Sequence, residues 1–150
     1  MVAAIPPPLF PQASTNNATP DQVKVLYDKG LSLYASGKYN ESITYFDEAL
    51  AINPNDVTAL TVKGLDLLFI GKYDDSIRYF DKALAVNPND VSALASKGLA
   101  LAKLGKYNES IAYYDKALAI NPNYVVAIKE KEYFVAVAAH HANSTIAKKR

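Results

Sequence analysis

The sequence predicts an all-α protein, an α-solenoid of three helix-turn-helix repeats followed by a C-terminal capping helix, on three observations. Glycines recur every 34 residues, as Gly30, Gly64 and Gly98 and again as Gly37, Gly71 and Gly105. Pro54, Pro88 and Pro122 keep the same interval. Between these marks the apolar residues recur at three- and four-residue steps, the period of a helix with one buried face. Three units follow, 23–56, 57–90 and 91–124, which stack hairpin upon hairpin.

Residues 1–20 form a proline-rich N-terminal tail. Its stretch Ile5-Pro6-Pro7-Pro8-Leu9-Phe10-Pro11 reads as a stiff polyproline-like segment with three large apolar side chains, the composition of a peptide ligand. Gln12 to Thr19 is polar and, at about 3.3 Å per residue, could reach roughly 25 Å. Docking of Ile5, Leu9 and Phe10 on the repeats of the same or a neighbouring molecule is therefore one expectation, and a tail with no docking site is the other. Met1 to Leu9 lacks a basic n-region and is broken by prolines, so it does not read as an intact signal peptide.

The repeat domain spans 21–142. In its second unit Leu60, Gly64, Leu67 and Leu68 mark a first helix, Gly71 interrupts, and Ile77, Phe80, Ala83 and Leu84 mark a second. Glycine at the break can take the positive φ that ends a helix, and the proline of Asn-Pro-Asn has no N–H to continue the next one. Asp56 and Asp90 are placed to cap the following helices, and Pro20-Asp21 predicts the same start for the first. The stretch from Tyr124 to about Ala142 predicts the capping helix. Its Val125, Val126, Ile128, Tyr133, Phe134, Val135 and Val137 leave little room for a polar outer face, so a homodimer or further repeats are expected to cover it. Residues 143–150 form a basic tail, with fraying expected from His140 onward.

The repeated Gly-Lys-Tyr at 37–39, 71–73 and 105–107, with Ala-Leu-Ala before Asn-Pro-Asn, resembles the tetratricopeptide repeat. In that pattern Gly30, Gly64 and Gly98 match the small residue of hairpin close approach. Phe46, Phe80 and Tyr114 match the aromatic of the second helix, and Ala49, Ala83 and Ala117 match its small residue. Two departures are visible. Leu26, Leu60 and Leu94 replace a tryptophan, and Ser42, Ser76 and Ser110 replace a common alanine.

The resemblance implies that the first helices line a concave groove in which a peptide of a partner protein lies. The residues it places there include Tyr27, Leu31, Tyr34, Thr61, Leu65, Leu68, Phe69, Leu99 and Lys103, an apolar floor rimmed by small hydroxyls. Leu68 and Phe69 differ between units and so read as the better candidates for facing a ligand. The family's best-known grip, a cationic clamp on a C-terminal carboxylate, lacks its donors. Tyr27, Leu31, Val62 and Ser96 stand where Lys, Asn, Asn and Arg would be. An apolar partner is expected instead, and self-association through the groove, the tail or the last helix is the alternative.

Other chemistry finds no support. Lys plus Arg is 16 against 15 acidic residues, which argues against nucleic acid. No apolar run approaches the roughly 18 residues of a membrane span. The absence of cysteine removes disulfides, thiol catalysis and cysteine-ligated zinc. His140 and His141 are adjacent and splay around a helix, which argues against a metal site. With no nucleophile–base pair or phosphate loop, neither an enzyme nor a cofactor is expected. Asp47, Asp81 and Asp115 read as a solvated face, Tyr45, Tyr79 and Tyr113 as packing between second helices, and Asp66 as a partner of Lys63 or Arg78. Sequons at Asn40, Asn108 and Asn143 leave the compartment open between the cytoplasm and an extracellular setting.

Overall fold

A computed structural model describes residues 18–150, so the proline-rich stretch carrying Ile5, Leu9 and Phe10 lies outside the described residues. Seven helices and no strand occur among those described: α1 (Pro20–Ala35), α2 (Tyr39–Ile52), α3 (Val57–Phe69), α4 (Tyr73–Val86), α5 (Val91–Lys103), α6 (Tyr107–Ile120) and α7 (Val125–Lys148). Each packs on its neighbours in sequence, and α5 also touches α3 and α7, which is the contact pattern of stacked hairpins.

Local chemistry sets the boundaries. The N–H of Ala59 donates to Asp56 at 3.0 Å and that of Ala93 to Asp90 at 2.7 Å, capping α3 and α5. The first helix starts differently from the sequence expectation. Thr19 and Gln22 exchange side-chain and backbone hydrogen bonds in a capping box, with Pro20 in the first helical turn. At the hairpin turn of the second unit Gly71 has φ +82°, a conformation that an L side chain resists. Its N–H donates to Leu68 O at 3.0 Å while Lys72 N–H donates to Leu67 O at 2.9 Å, satisfying the carbonyls that a helix end leaves open. In the Asn-Pro-Asn turns Asn53, Asn87 and Asn121 accept from the N–H two residues on.

Close approach explains the other glycine series. A Cβ at Gly64 would sit 2.5 Å from the Phe80 ring, so only glycine lets α3 and α4 meet over it. Phe46, Phe80 and Tyr114 are fully buried, one per unit, and each lies beside a buried alanine of its own helix.

The hairpins are registered to one another by a ladder that sequence reasoning read as solvated and packing residues. Lys63 pairs with Asp47 of the preceding unit and donates to the Tyr79 hydroxyl at 2.7 Å. Lys97 repeats this with Asp81 at 2.5 Å and Tyr113 at 2.8 Å, and Lys131 reaches Asp115 at 2.5 Å. The aspartates are half exposed, yet each ties its helix to the next first helix.

Asp66 also departs from expectation. Lys63 is engaged as above and Arg78 faces Asp75, so neither reaches it. Asp66 is 0% exposed, and neither of its carboxylate oxygens has a hydrogen-bond partner among the described residues. Burial pushes its carboxyl up to about 6, with the Ser42 hydroxyl opposing the rise. Ser32 and Ala100 occupy its place in the other two units, so this charge belongs to one hairpin seam only.

The last helix is longer than its sequence predicts, continuing past Ala142 and through the expected fraying segment to Lys148. It carries Glu132 where earlier first helices have the close-approach glycine, and Ala139 where they have the turn glycine. Nothing in it stops the helix or admits a hairpin partner. No helix among the described residues is long and apolar enough to cross a membrane.

Candidate functional site

The first helices of the hairpins, α1, α3 and α5, alternate with the second helices, and α5 touches both α3 and α7, so the candidate groove lies on this side. Their nine sequence-predicted residues divide into three groups. Tyr27, Thr61 and Leu68 face inward. The Tyr27 ring meets Phe46 edge-on at 5.6 Å, and its hydroxyl is buried. Burial and the neighbouring Asp56 push that phenol above its usual range. Thr61 is buried with its hydroxyl unpartnered among the described residues. Leu68 is only 3% exposed and packs with Phe80 and Ala100, so it meets the groove only as part of its floor.

The second group makes an aromatic cluster where the first two units meet. Phe69 is 48% exposed and stacks on Tyr39 at 5.0 Å, with the rings 17° from parallel. Tyr34 closes the cluster at 5.9 Å from Tyr39 and 6.0 Å from Phe69. Burial raises the Tyr34 phenol, helped by Tyr39 and Asp66, so it stays a neutral hydroxyl. Leu31, 42% exposed, adds aliphatic surface from the same helix.

The third group lies further along, where a hollow of about 370 Å³ opens between α3, α5 and α7. Its lining is Leu68, Phe69, Tyr73, Leu99, Lys103, Glu130, Tyr133 and Phe134. That volume falls at the lower end of the roughly 300–1,000 Å³ of small binding pockets. Phe69 borders both the cluster and the hollow, and Leu65 and Leu99, half-buried, support the surface between them. Phe134 stacks on Tyr107 at 5.9 Å and on Tyr114 at 6.4 Å.

Sequence reasoning missed Tyr39, Tyr73, Glu130, Tyr133 and Phe134 as groove residues. For Glu130 and Tyr133 the signal was present. They are the sixth and ninth residues of α7, the places Val62 and Leu65 hold in α3, so carrying the repeat register into the last helix finds them.

Charge in the groove is sparse. Lys24 is neutralised by Asp28 at 2.6 Å on its own helix, and Val62 and Ser96 offer no cation. The surface can bury apolar side chains, and it has no array of donors to draw a carboxylate from water.

Residues 23–56 and 61–125 each match a family model described as tetratricopeptide repeat, together about two-thirds of the chain. No curated protein matches the sequence. Among solved structures, the first tetratricopeptide domain of human RPAP3 is 25% identical with a TM-score of 0.78, covering 84% of this chain and 99% of that one. The first such repeat domain of Spaghetti (RPAP3), bound to an HSP90 peptide, is 23% identical with a TM-score of 0.75 over 81% of this chain and 97% of that one. PcrH, in complex with the chaperone binding region of PopD, is 16% identical with a TM-score of 0.75 over 84% and 98%. The two likenesses below 25% identity speak for the fold alone.

Proposed function

The chain belongs to the tetratricopeptide repeat family, and on that premise we propose that it is a protein-interaction module whose groove takes an apolar segment of a partner protein. The observation that carries this reading is the run of uncovered apolar surface from Leu31 through Phe69 to the hollow, on the side where a carboxylate-gripping domain would hold its cations. Covering such surface is favourable by about 25 cal/mol per Å² of apolar area. Because the stacked hairpins already hold the groove open, binding asks for little reordering of the module, which keeps its entropic cost low. Two of the similar structures hold partner segments, an HSP90 peptide and a region of PopD.

Selection from a library of displayed random dodecapeptides tests this. The protein should enrich sequences with paired large apolar residues, and Leu31→Glu plus Phe69→Glu should lose them while keeping its helical content. Enrichment of acidic C-terminal sequences, or no loss in the variant, would refute it.

A second reading is favoured by α7, where Val125, Val126, Tyr133, Val135 and Ile146 are exposed. Self-association through this helix would cover them. Sedimentation equilibrium decides: a dimer persisting at low micromolar concentration supports it, and a monomer throughout rejects it.

A further inference from the structure

The hollow in the groove carries charge as well as apolar surface. Leu68, Leu99 and Phe134 form its floor, with Phe69 and Tyr133 exposed at its edges. Tyr73, Lys103 from α5 and Glu130 from α7 complete the lining. The ion pairs among the described residues all involve other groups, which leaves these two opposite charges available. Their places in the helices explain why they do not pair with each other. Lys103 is the last of the 13 residues of α5, whereas Glu130 is only the sixth residue of α7. Seven residues at about 1.5 Å each separate them by roughly 10 Å along parallel axes. The charges therefore stand at opposite ends of the hollow with the apolar floor between them.

Such a lining selects its occupant twice, by burial in the middle and by charge at each end. The geometry points to a segment in polyproline II conformation in which two consecutive large apolar residues lie between one acidic and one basic residue. The acid meets Lys103 and the base meets Glu130. At about 3.1 Å per residue and three residues per turn, three steps cover roughly 9 Å and return acid and base to the same face of the segment, so the two stand three residues apart. A segment acidic at both ends satisfies Lys103 and is repelled by Glu130, and a doubly basic one meets the reverse. This specificity rests on the groove being the binding surface.

The test uses labelled, end-blocked peptides Gly-Gly-X-Leu-Phe-Z-Gly-Gly and fluorescence polarisation. X and Z are Asp and Lys in both orders, then Asp twice, Lys twice and Gln twice. One mixed order should bind at least about fivefold tighter than the three uniform peptides, a modest ratio because both ion pairs are partly solvated. In the variant Lys103→Glu plus Glu130→Lys, whose fold is checked by circular dichroism, the preference should pass to the other mixed order. If the Gln peptide binds as tightly as either mixed one, charge selection is overturned while the groove reading stands. If none of the five binds, the groove reading falls with it.

Discussion

Replacing Asp66 by alanine should stabilise the protein at neutral pH and leave it nearly unchanged in mild acid. The carboxyl is fully buried between the first and second hairpins without a partner among the described residues. Burial raises it from 3.8 to about 6, with Ser42 opposing. Of the groups facing it, Ser42 on α2 donates its hydroxyl to Gly30 O at 3.0 Å, and Tyr34 on α1 titrates far above neutrality. A folded value above the unfolded one means that the acid's neutral form is favoured by folding. Its contribution is complete below about pH 4 and is lost as the pH rises through 6. A rise of about two units at about 1.36 kcal/mol each gives a penalty of about 3 kcal/mol, fully developed by pH 7. Ala100, fully buried at the same place in the third unit, shows that alanine fits this seam. Urea unfolding followed by circular dichroism at pH 4, 5, 6 and 7.5 reads the effect. The stability difference between Asp66→Ala and the parent should grow by about 2.5 kcal/mol from pH 4 to 7.5. A difference constant within about 0.5 kcal/mol would refute the buried, unpaired carboxylate.

Further perturbations separate core from surface. Gly64→Ala drives a Cβ into the Phe80 ring and should cost about 1–3 kcal/mol in urea unfolding. Gly71→Ala should cost about 1–2 kcal/mol, through its positive φ alone. Leu68→Ala removes a buried leucine and should lose about 2–5 kcal/mol, whereas Phe69→Ala, at the surface, should shift the unfolding midpoint little while weakening peptide binding. Asp81→Ala breaks one rung between hairpins; thermal unfolding should show a loss of up to about 1 kcal/mol, lessened in high salt. Removing residues 1–17 addresses docking of Ile5, Leu9 and Phe10, since a tail lying in the groove competes with added peptide. Affinity should then rise on truncation, and an unchanged affinity would end that idea.

The repeat and its helices are legible in the sequence because each turn needs a glycine or proline for a local reason, and those residues recur on a fixed interval. The hairpin seam at Gly64 is legible for the same reason. What the period hides is direction at single positions. Leu68 and Phe69 are neighbours in sequence, and one faces Phe80 while the other faces solvent. A helix turns about 100° per residue, so a small error in the assumed inner face exchanges their roles. The partners of Lys63, Lys97 and Lys131 lie sixteen residues away on another helix. Short-range pairing rules cannot find them, which is why they offer Lys63 or Arg78 as the partner of Asp66. The hollow is not legible in the three repeats alone, because α7 supplies one of its walls.

The central claim is that the side formed by α1, α3, α5 and α7 receives an apolar segment. Nitrogen–proton correlation spectra recorded while the neutral Leu-Phe peptide is titrated test it most directly. The account predicts that shifts gather at Leu31, Phe69, Leu99, Lys103 and Tyr133 and spare the outer faces of α2, α4 and α6. Shifts concentrated on those outer faces, or no shifts at millimolar peptide, would contradict it.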